Sequence, residues 1–494
     1  RDNGYDVADY RNIDPMFGTM EDLDNLIAEG EKRNIGLMFD MVFNHTSTSH
    51  EWFRRALAGE KKYQDYYIFK EGAPDQPPTN WQSKFGGSAW EYVSSLGKWY
   101  LHLFDVTQAD LNWKNPEVRE ELKEVIRFWK AKGVKGFRFD VVNLISKPEI
   151  WEDDFEGDGR KFYTDGPYVH EYLKELVRDT GIEDYVTVGE MSSTTLEHCI
   201  RYSGAEEKEL SMCFNFHHLK VDYKDGNKWE LMEPDYMELK VIFEKWQMGM
   251  QRGNAWNALF WCNHDQPRIV SRFGNEGEYW KESAKMLAGM IHLMRGTPYI
   301  YQGEEIGMTN PHYTSIEQYA DVESRNYYEI LLNEGKTKEE ALEILAARSR
   351  DNSRTPMQWT DERYCGFSDT KPWIPVSDNF EKINVKKQKQ DRDSILEFYK
   401  KLIMLRKEKE VIARGNIEFM EVENAGVLAY TRCLDKQKLL VCCNFRDVES
   451  QMEFTQEWKS GRKILGNYEE NHKNNYKVLT LRPYEIIVLE KGEE

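Results

Sequence analysis

The segment Gly136-Phe137-Arg138-Phe139-Asp140-Val141-Val142-Asn143 decides the fold class of this chain. It follows a helical stretch, 120–132, and a glycine, Gly133, that is suited to end that helix. The segment itself has the pattern of a short apolar strand that carries one arginine and one aspartate. Because side chains two residues apart lie on the same face of a strand, Arg138 and Asp140 are predicted neighbours. A buried ion pair is costly in a core, so this pair at a strand end predicts a functional site.

Two further acids end strand-like stretches. Glu190 ends the stretch 185–190, and Asp265 ends the stretch 258–265. A single acid after a strand usually caps a helix or lies in a turn, which is the alternative interpretation for each of them. Three acids at three strand ends, each with its own flanking motif, favour one shared site for carboxylate-based glycoside chemistry instead.

Alternation of apolar strands and amphipathic helices extends over the first four-fifths of the chain. The predicted strands are 35–43, 134–142, 185–191, 210–216, 258–265 and 298–303. Such alternation predicts a parallel sheet with crossover helices, and three acids at strand ends predict an α/β barrel, the (β/α)8 fold. A closed barrel of this class has eight strands, so two more strands are expected before residue 1.

Long excursions interrupt the predicted barrel. Residues 44–113, rich in aromatic residues, Gly and Pro, are predicted to form an inserted subdomain after strand 3, and 308–360 a second excursion with a helix at Lys338–Arg348. Six short strands with alternating polarity follow between 417 and 490. The predicted domains are a catalytic barrel at 1–410 and an all-β sandwich at 411–494.

Composition excludes several function classes. The 494 residues are 40% hydrophobic and 13% aromatic, which is ample for a core, and no apolar run is long enough to span a membrane. The formal net charge of −19 argues against nucleic acids and anionic membranes as partners. It also means that an anionic substrate needs a local basic patch.

Seven scattered cysteines predict reduced thiols and a cytoplasmic setting, and no signal peptide is visible. Paired Cys and His spacings of the zinc-binding kind are missing from the sequence, so neither a metal nor another cofactor is predicted. The oligomeric state is left unassigned.

The residue types at the strand ends suit retaining glycoside hydrolysis, which needs a nucleophilic carboxylate and an acid/base about 5–5.5 Å apart. Asp140 suits the nucleophile, and Arg138 is predicted to keep it ionised by lowering its pKa. Glu190 suits the acid/base, with Gly189 leaving room for a sugar. Asp265 is predicted to hold ring hydroxyls and to stabilise the transition state.

Four motifs resemble those of the α-amylase superfamily, glycoside hydrolase family 13. They are Asp40-Met41-Val42-Phe43-Asn44-His45, the segment 136–140, Val188-Gly189-Glu190 and Asn263-His264-Asp265. Their order and spacing are similar to the family's over nearly the whole chain. The resemblance implies a (β/α)8 barrel with an insertion after strand 3 and a C-terminal β-sandwich.

Within that superfamily, Gln108-Ala109-Asp110-Leu111-Asn112 and Arg354-Thr355-Pro356-Met357-Gln358-Trp359 resemble the oligo-1,6-glucosidase branch. That branch implies glucose-binding roles, here for Asp2, Tyr5, His45, Arg138, His264 and Arg354. Taken alone, His45 has the alternative interpretation of a satisfied core histidine, and Arg354 that of a surface ion pair.

The stretches 80–90, 190–195 and 214–223 resemble a phosphotrehalase subgroup. This resemblance implies a sugar phosphate substrate, α,α-trehalose 6-phosphate, cleaved to glucose and glucose 6-phosphate with retention. Lys220 and Lys228, with His217 as a further donor, are the predicted phosphate ligands after strand 6. The alternative interpretation of these lysines is solvated surface charge.

Two other functions remain open at this point. An oligo-1,6-glucosidase acting on isomaltose-type ends needs no cation after strand 6, so the lysines favour the phosphotrehalase. A catalytically inactive binding relative predicts loss of the acids, whereas all three acids are present.

Overall fold

The computed structural model describes residues 2–453, 455–468 and 478–491. The chain forms two compact units, Arg1–Phe216 with Gly253–Trp256, and His217–Arg252 with Asn257–Glu494. The predicted terminal domain, 411–494, includes residues 454, 469–477 and 492–494, which lie outside the described ranges. Within those ranges, none of the helices combines the length and the apolar character needed to cross a membrane.

The first unit holds nine strands and seven helices among its described residues. Its strands are β1 (Met38–Met41), β2 (His45–Ser47), β3 (Phe69–Glu71), β4 (Trp90–Val93), β5 (Lys98–Leu101), β6 (Gln108–Asp110), β7 (Gly136–Phe139), β8 (Val186–Glu190) and β9 (Met212–Phe214). Its helices are α1 (Met20–Glu31), α2 (Glu51–Leu57), α3 (Lys61–Gln64), α4 (Pro116–Ala131), α5 (Arg160–Tyr163), α6 (Val169–Thr180) and α7 (Leu196–Ser203).

A four-stranded parallel sheet forms the centre of this unit, in the order β1-β7-β8-β9. Helices α4, α6 and α7 lie in the connections between its strands, as parallel pairing requires. Helix α4 begins after the N-cap Asn115 with a proline in its first turn, and Gly133 follows its end with φ +101°. Because the strands are parallel, their carboxyl ends share one edge of the sheet.

The predicted insertion, 44–113, forms a subdomain with a narrow neck. Strands β2 and β6 pair antiparallel at that neck, and β3, β5 and β4 form a separate antiparallel sheet. Lys147 lies against the neck, with its Nζ 2.7 Å from Asp110 Oδ2, 2.7 Å from Asn44 Oδ1 and 2.7 Å from the Leu144 carbonyl oxygen. The Lys147 and Asp110 side chains are only 3% and 0% exposed, so each charge depends on the other.

The second unit contains the remaining strands and helices. Its strands are β10 (Ala258–Leu259), β11 (Thr297–Pro298), β12 (Asn416–Met420), β13 (Val427–Leu434), β14 (Gln437–Asn444), β15 (Ser450–Glu453), β16 (Arg462–Gly466), β17 (Val478–Leu481) and β18 (Ile486–Lys491). Its helices are α8 (Tyr236–Arg252), α9 (Ile269–Phe273), α10 (Trp280–His292), α11 (Val322–Asn333), α12 (Lys338–Arg348), α13 (Val385–Gln390), α14 (Ile395–Glu408) and α15 (Glu410–Arg414).

Five of the six strands predicted for the α/β part contain a parallel strand, four in the first unit and β10 in the second, and the sixth, 298–303, overlaps β11 only at Pro298. The predicted helix Lys338–Arg348 is present with those bounds as α12. The C-terminal strands form a five-stranded antiparallel sheet, β12-β13-β14-β18-β16, and a two-stranded sheet, β15-β17. Strand β16 escaped prediction because Arg-Lys-Ile-Leu-Gly lacks a regular alternation of apolar residues.

The C-terminal sheet belongs to the same compact unit as the helices that precede it. Arg432 donates to the Leu293 carbonyl oxygen at 2.6 Å, and the Tyr430 hydroxyl donates to that of Met290 at 2.7 Å. Lys240 of α8 donates to the Glu421 carbonyl oxygen at 2.9 Å. These polar contacts join the C-terminal sheet to the preceding helices within one compact unit, and the predicted division at residue 410 stays a prediction.

The neck of the insertion yields a stability prediction. Lys147→Met leaves Asp110 buried without its cation, so we expect a loss of about 3–5 kcal/mol in the free energy of unfolding. Thermal unfolding followed by circular dichroism measures the change. Lys61→Met is the control, because its side chain is 80% exposed and its loss should cost within about 0.5 kcal/mol. Equal losses in the two variants would contradict a structural role for the buried pair.

Candidate active site

Arg138 is the centre of a charge cluster in the first unit, in which Asp140 and Glu190 are buried and Asp40 is partly exposed. On β7 its neighbours Phe137 and Phe139 are fully buried, while Arg138 pairs in register with Asp40 of β1 and with Val188 of β8. Its side chain therefore lies on the sheet face opposite to the two phenylalanines. This placement brings it to the carboxyl end of three adjacent strands.

One guanidinium group serves three carboxylates there. Arg138 Nη1 lies 2.5 Å from Asp40 Oδ2 and 2.9 Å from Asp140 Oδ1, and Nη2 donates to Glu190 Oε2. The predicted contact between Arg138 and Asp140 is confirmed. Asp40 also accepts a hydrogen bond from the Tyr5 hydroxyl at 2.7 Å.

Burial raises the pKa of Asp140 well above its ordinary range. Arg138 lowers that pKa, as the sequence predicts, but the nearby charges of Glu190 and Asp40 raise it again. The net direction of the pKa of Asp140 is upward, because burial and the two neighbouring acids together outweigh Arg138. Three acids face one permanent cation, so the cluster binds a proton more readily than separate carboxylates do.

Asp140 and Glu190 both contact the guanidinium group of Arg138, so the two carboxyl groups lie close to each other. Such a pair is suited to divide its roles, with one member donating a proton and the other remaining an anion. The geometry thus brings together the two residues that the sequence predicts as acid/base and nucleophile.

The backbone after Asp140 is strained. Val141 has φ +34°, which is rare for a β-branched residue, and its N–H donates to Glu190 Oε2 at 3.4 Å. Gly189 also lies in close packing. A Cβ at that position would lie 2.5 Å from Met191 Cε and 2.6 Å from Leu210 Cδ1, so a larger residue would displace these side chains, and the predicted room for a sugar stays a prediction.

Asp2, Tyr5 and His45 come together beside this cluster, as predicted. His45 Nε2 lies 3.0 Å from the Tyr5 carbonyl oxygen, and Gln108 Nε2 donates to Asp2 Oδ2 at 3.1 Å and to the same carbonyl oxygen at 3.1 Å. Burial lowers the pKa of His45, although Asp110 and Asp2 oppose that effect. A neutral His45 that donates from Nε2 satisfies the Tyr5 carbonyl oxygen.

The second unit holds the third predicted acid in its own network. Asp265 Oδ1 accepts from Arg354 Nη2 at 2.6 Å, and His264 Nε2 lies 3.5 Å from Asp265 Oδ2. Arg354 Nε also donates to the His264 carbonyl oxygen at 2.8 Å. Arg350 Nη1 lies 3.5 Å from Asp265 Oδ1, so two arginines approach the same oxygen.

Both arginines also contact Asp321. Its Oδ1 lies 2.5 Å from Arg350 Nη2 and 3.4 Å from Arg354 Nη1. Burial would raise the pKa of Asp321, but the two arginines lower it to about 2. Burial acts in the same way on Asp265, and His264, Arg350 and Arg354 together hold its pKa far below the ordinary range. Asp265 is therefore ionised throughout the neutral range.

The three predicted phosphate ligands occupy different surroundings. Lys220 is exposed, and the ring of His217 stacks on Trp246 with a centroid distance of 4.7 Å. Lys228 Nζ lies 2.7 Å from Glu323 Oε2 and 4.7 Å from the centre of the Trp229 ring. Lys228 is thus already part of an ion pair.

Five residues of these clusters were not predicted as site residues. They are Asp40, Gln108, Asp321, Glu323 and Arg350. Asp40 and Gln108 stand within the motifs 40–45 and 108–112, so these positions could have been found from the sequence. Asp321, Glu323 and Arg350 lie in an excursion and reach the network only through tertiary contacts. Among the described residues, no group of three or more His, Cys, Asp or Glu side chains is arranged to hold a metal ion.

Two family models match the chain. Residues 1–415 match the alpha amylase catalytic domain, and residues 417–488 match the maltogenic amylase C-terminal domain.

Relatives are similar over nearly the whole chain. Trehalose-6-phosphate hydrolase of Escherichia coli (strain K12) is 52% identical over 98% of this chain and 88% of its own length. Oligo-1,6-glucosidase of Bacillus cereus is 44% identical over 99% of this chain and 89% of its own length. The crystal structure of Bacillus licheniformis trehalose-6-phosphate hydrolase superposes with a TM-score of 0.94 at 51% identity, covering 99% of this chain and 89% of that one.

The raised pKa of Asp140 predicts how stability depends on pH. An acid whose pKa is higher in the folded state stabilises that state below its unfolded pKa, near 3.9, and the stabilisation is lost as pH rises through the folded pKa. Asp140→Asn should therefore raise the thermal midpoint at pH 7–8 and leave it unchanged near pH 4. A difference of one between the pKa of Asp140 in the folded and in the unfolded state corresponds to about 1.4 kcal/mol in the free energy of unfolding.

The measurement is the thermal midpoint of both proteins between pH 4 and pH 8. Asp75→Asn, at an exposed position, is the control and should show no pH-dependent gain. A midpoint of Asp140→Asn that lies below that of the wild type at pH 8 would rule out the crowded carboxylate cluster.

Proposed function

The chain belongs to the α-amylase family of glycoside hydrolases, and we propose on that basis that it hydrolyses α,α-trehalose 6-phosphate to glucose and glucose 6-phosphate. The observation that carries this proposal is the single guanidinium of Arg138 that holds both Asp140 and Glu190. The family match over 1–415 implies a (β/α)8 barrel, and the match over 417–488 a C-terminal β domain. Their boundary is proposed to lie near residue 411.

In the proposed reaction, Glu190 gives its proton to the glycosidic oxygen while Asp140 attacks the anomeric carbon of the glucose ring. A covalent glycosyl–Asp140 ester forms, and glucose 6-phosphate leaves. Glu190, now a carboxylate, takes a proton from water, which attacks the ester and releases glucose with retained configuration. The contact of both carboxyl groups with the single guanidinium of Arg138 supports this division of roles.

The remaining site residues have supporting roles in this proposal. Ionised Asp265 binds ring hydroxyls and stabilises the transition state, with His264 and Arg354 beside it. Asp2, Tyr5 and His45 bind the non-reducing glucose, as the family motifs imply. The seven cysteines are unpaired, which supports the proposed cytoplasmic setting.

Lys220, helped by Lys228 and His217, is proposed to bind the 6-phosphate of the leaving group. A phosphate dianion needs local cations in a chain of net charge −19. Lys220 is the exposed member of the set, so its ammonium group is accessible to a phosphate from solvent.

An oligo-1,6-glucosidase is the second candidate. The 44% identity to that enzyme of Bacillus cereus favours it, as does the existing pairing of Lys228 with Glu323. A neutral disaccharide would leave this ion pair undisturbed.

The substrate preference tests the proposal directly. We expect the wild type to hydrolyse trehalose 6-phosphate with a higher kcat/KM than trehalose or isomaltose, and to release glucose first as the α-anomer. Glucose release and proton NMR measure the two quantities. Asp140→Asn should reduce all three activities to background. A preference for isomaltose would replace the phosphotrehalase with the oligo-1,6-glucosidase.

Lys220→Ala tests phosphate recognition. A charged hydrogen bond is worth about 1.5–3 kcal/mol, so kcat/KM for trehalose 6-phosphate should fall about 10- to 150-fold. Activity on unphosphorylated trehalose should barely change. Lys224→Ala is the matched control, since Lys224 lies in the same segment and forms an exposed pair with Glu230. Equal losses on both sugars would show that Lys220 supports the fold or the glucose subsite.

A further inference from the structure

Lys228 and Asp265 are connected through two charged side chains of the second unit. Lys228 Nζ lies 2.7 Å from Glu323 Oε2, and Arg350 Nε lies 3.4 Å from the same oxygen. Arg350 Nη1 lies 3.5 Å from Asp265 Oδ1. Positive and negative side chains alternate along this series, so the position of each charge depends on its neighbours.

This series is well shielded from solvent. The side chains of Lys228, Glu323 and Arg350 are 18%, 11% and 7% exposed. Trp229, which lies under the Lys228 ammonium, stacks on Tyr327 with a centroid distance of 4.5 Å. Interactions between charges are stronger at such low exposure than at the surface. A change in the charge at Lys228 therefore alters the electrostatic environment of Arg350.

Arg350 is shared between three acids that hold it unequally. Its Nη2 and Nε both donate to Asp321 Oδ1, at 2.5 and 3.0 Å, whereas its contacts with Glu323 and Asp265 are longer, at 3.4 and 3.5 Å. Asp321 in turn is fixed as the N-cap of α11, where it accepts hydrogen bonds from Ser324. Arg350 can therefore turn about this anchor toward Glu323 or toward Asp265 with a small displacement.

Arg354 holds Asp265 independently of that displacement. Its Nη2 lies 2.6 Å from Asp265 Oδ1, the oxygen that Arg350 approaches less closely. Asp265 thus keeps one strong cationic partner even when Arg350 turns away. The contact with Arg350 adjusts the charge density of the carboxylate rather than its position.

We propose that Glu323 is a specificity-determining positioning residue that couples phosphate recognition at Lys228 to the sugar-binding carboxylate Asp265 through Arg350. While Lys228 neutralises Glu323, Arg350 stays close to Asp265. When a phosphate monoester binds the Lys228 ammonium, Glu323 loses this cationic partner and attracts Arg350. Asp265 then keeps Arg354 and His264 but loses Arg350, and it becomes a stronger acceptor for sugar hydroxyls. This coupling rests on the proposed function.

The coupling differs from simple ligand binding in the kinetic constant that it changes. A lysine that only binds phosphate lowers KM for the phosphorylated sugar. A coupling that alters the charge around Asp265 changes kcat, because that carboxylate acts on the ring in the transition state. The same coupling leads to an expectation for Lys228. Its removal leaves Glu323 permanently without its cationic partner and should mimic the effect of phosphate.

Glu323→Gln is the first test, with trehalose 6-phosphate and trehalose as substrates. A neutral amide cannot draw Arg350, so the ratio of kcat for the phosphorylated to the plain sugar should fall about tenfold, equivalent to ~1.4 kcal/mol. KM for trehalose 6-phosphate should change much less. Glu329→Gln, on the exposed side of the same helix, is the control and should leave both constants unchanged.

Lys228→Met is the second test. Its readout is kcat on plain trehalose, which would not rise if Lys228 had only a structural role. The variant should raise kcat on plain trehalose several-fold while raising KM for trehalose 6-phosphate. Lys228→Arg should restore wild-type behaviour, and the double variant Lys228→Met/Glu323→Gln should lose the gain. Thermal midpoints establish that each variant is folded.

Two results separate the coupling from the proposed function. An unchanged kcat ratio in folded Glu323→Gln, or an unchanged trehalose kcat in Lys228→Met, overturns the coupling while the phosphotrehalase stands. A wild-type protein without activity on trehalose 6-phosphate overturns the proposed function itself, and the coupling falls with it.

Discussion

The bridging of three carboxylates by one guanidinium is the interaction on which the first unit depends. Arg138 can contact Asp40, Asp140 and Glu190 only because β1, β7 and β8 are adjacent, parallel and in the observed register. A shift of one residue in the pairing of β7 would exchange its two faces, so that Phe137 and Phe139 would take the place of Arg138 beside the carboxylates. The sheet and the charge cluster therefore specify each other.

That cluster has more negative than positive charge, and the rest of the unit accommodates it. Three acids and one arginine in a mostly buried place favour the uptake of a proton, which raises the pKa of Asp140. The unusual backbone at Val141 directs an N–H toward Glu190. Strain and crowded charge at one position indicate a site whose geometry serves chemistry more than stability.

In the charge network of the second unit, basic and acidic side chains are equal in number. Lys228, Arg350 and Arg354 face Glu323, Asp321 and Asp265, so three basic and three acidic side chains alternate. With enough cations present, Asp265 stays ionised and has no need of a proton. The two units thus hold acids in opposite states, one group poised to exchange a proton and the other fixed as anions.

Sequence alone determined the α/β alternation, five of the six parallel strands and the pairing of Arg138 with Asp140, because periodicity and residue spacing are local properties. It also determined the three acids, since each stands at a strand end beside a recognisable motif. Only the tertiary structure decided the net direction of the pKa of Asp140, the close packing around Gly189 and the ion pair of Lys228. Burial and charge from residues far apart in the chain set these properties, and neither spacing nor motif encodes them. Glu323 shows the difference most clearly, since a surface-like acid in an excursion becomes part of the site only through Lys228 and Arg350.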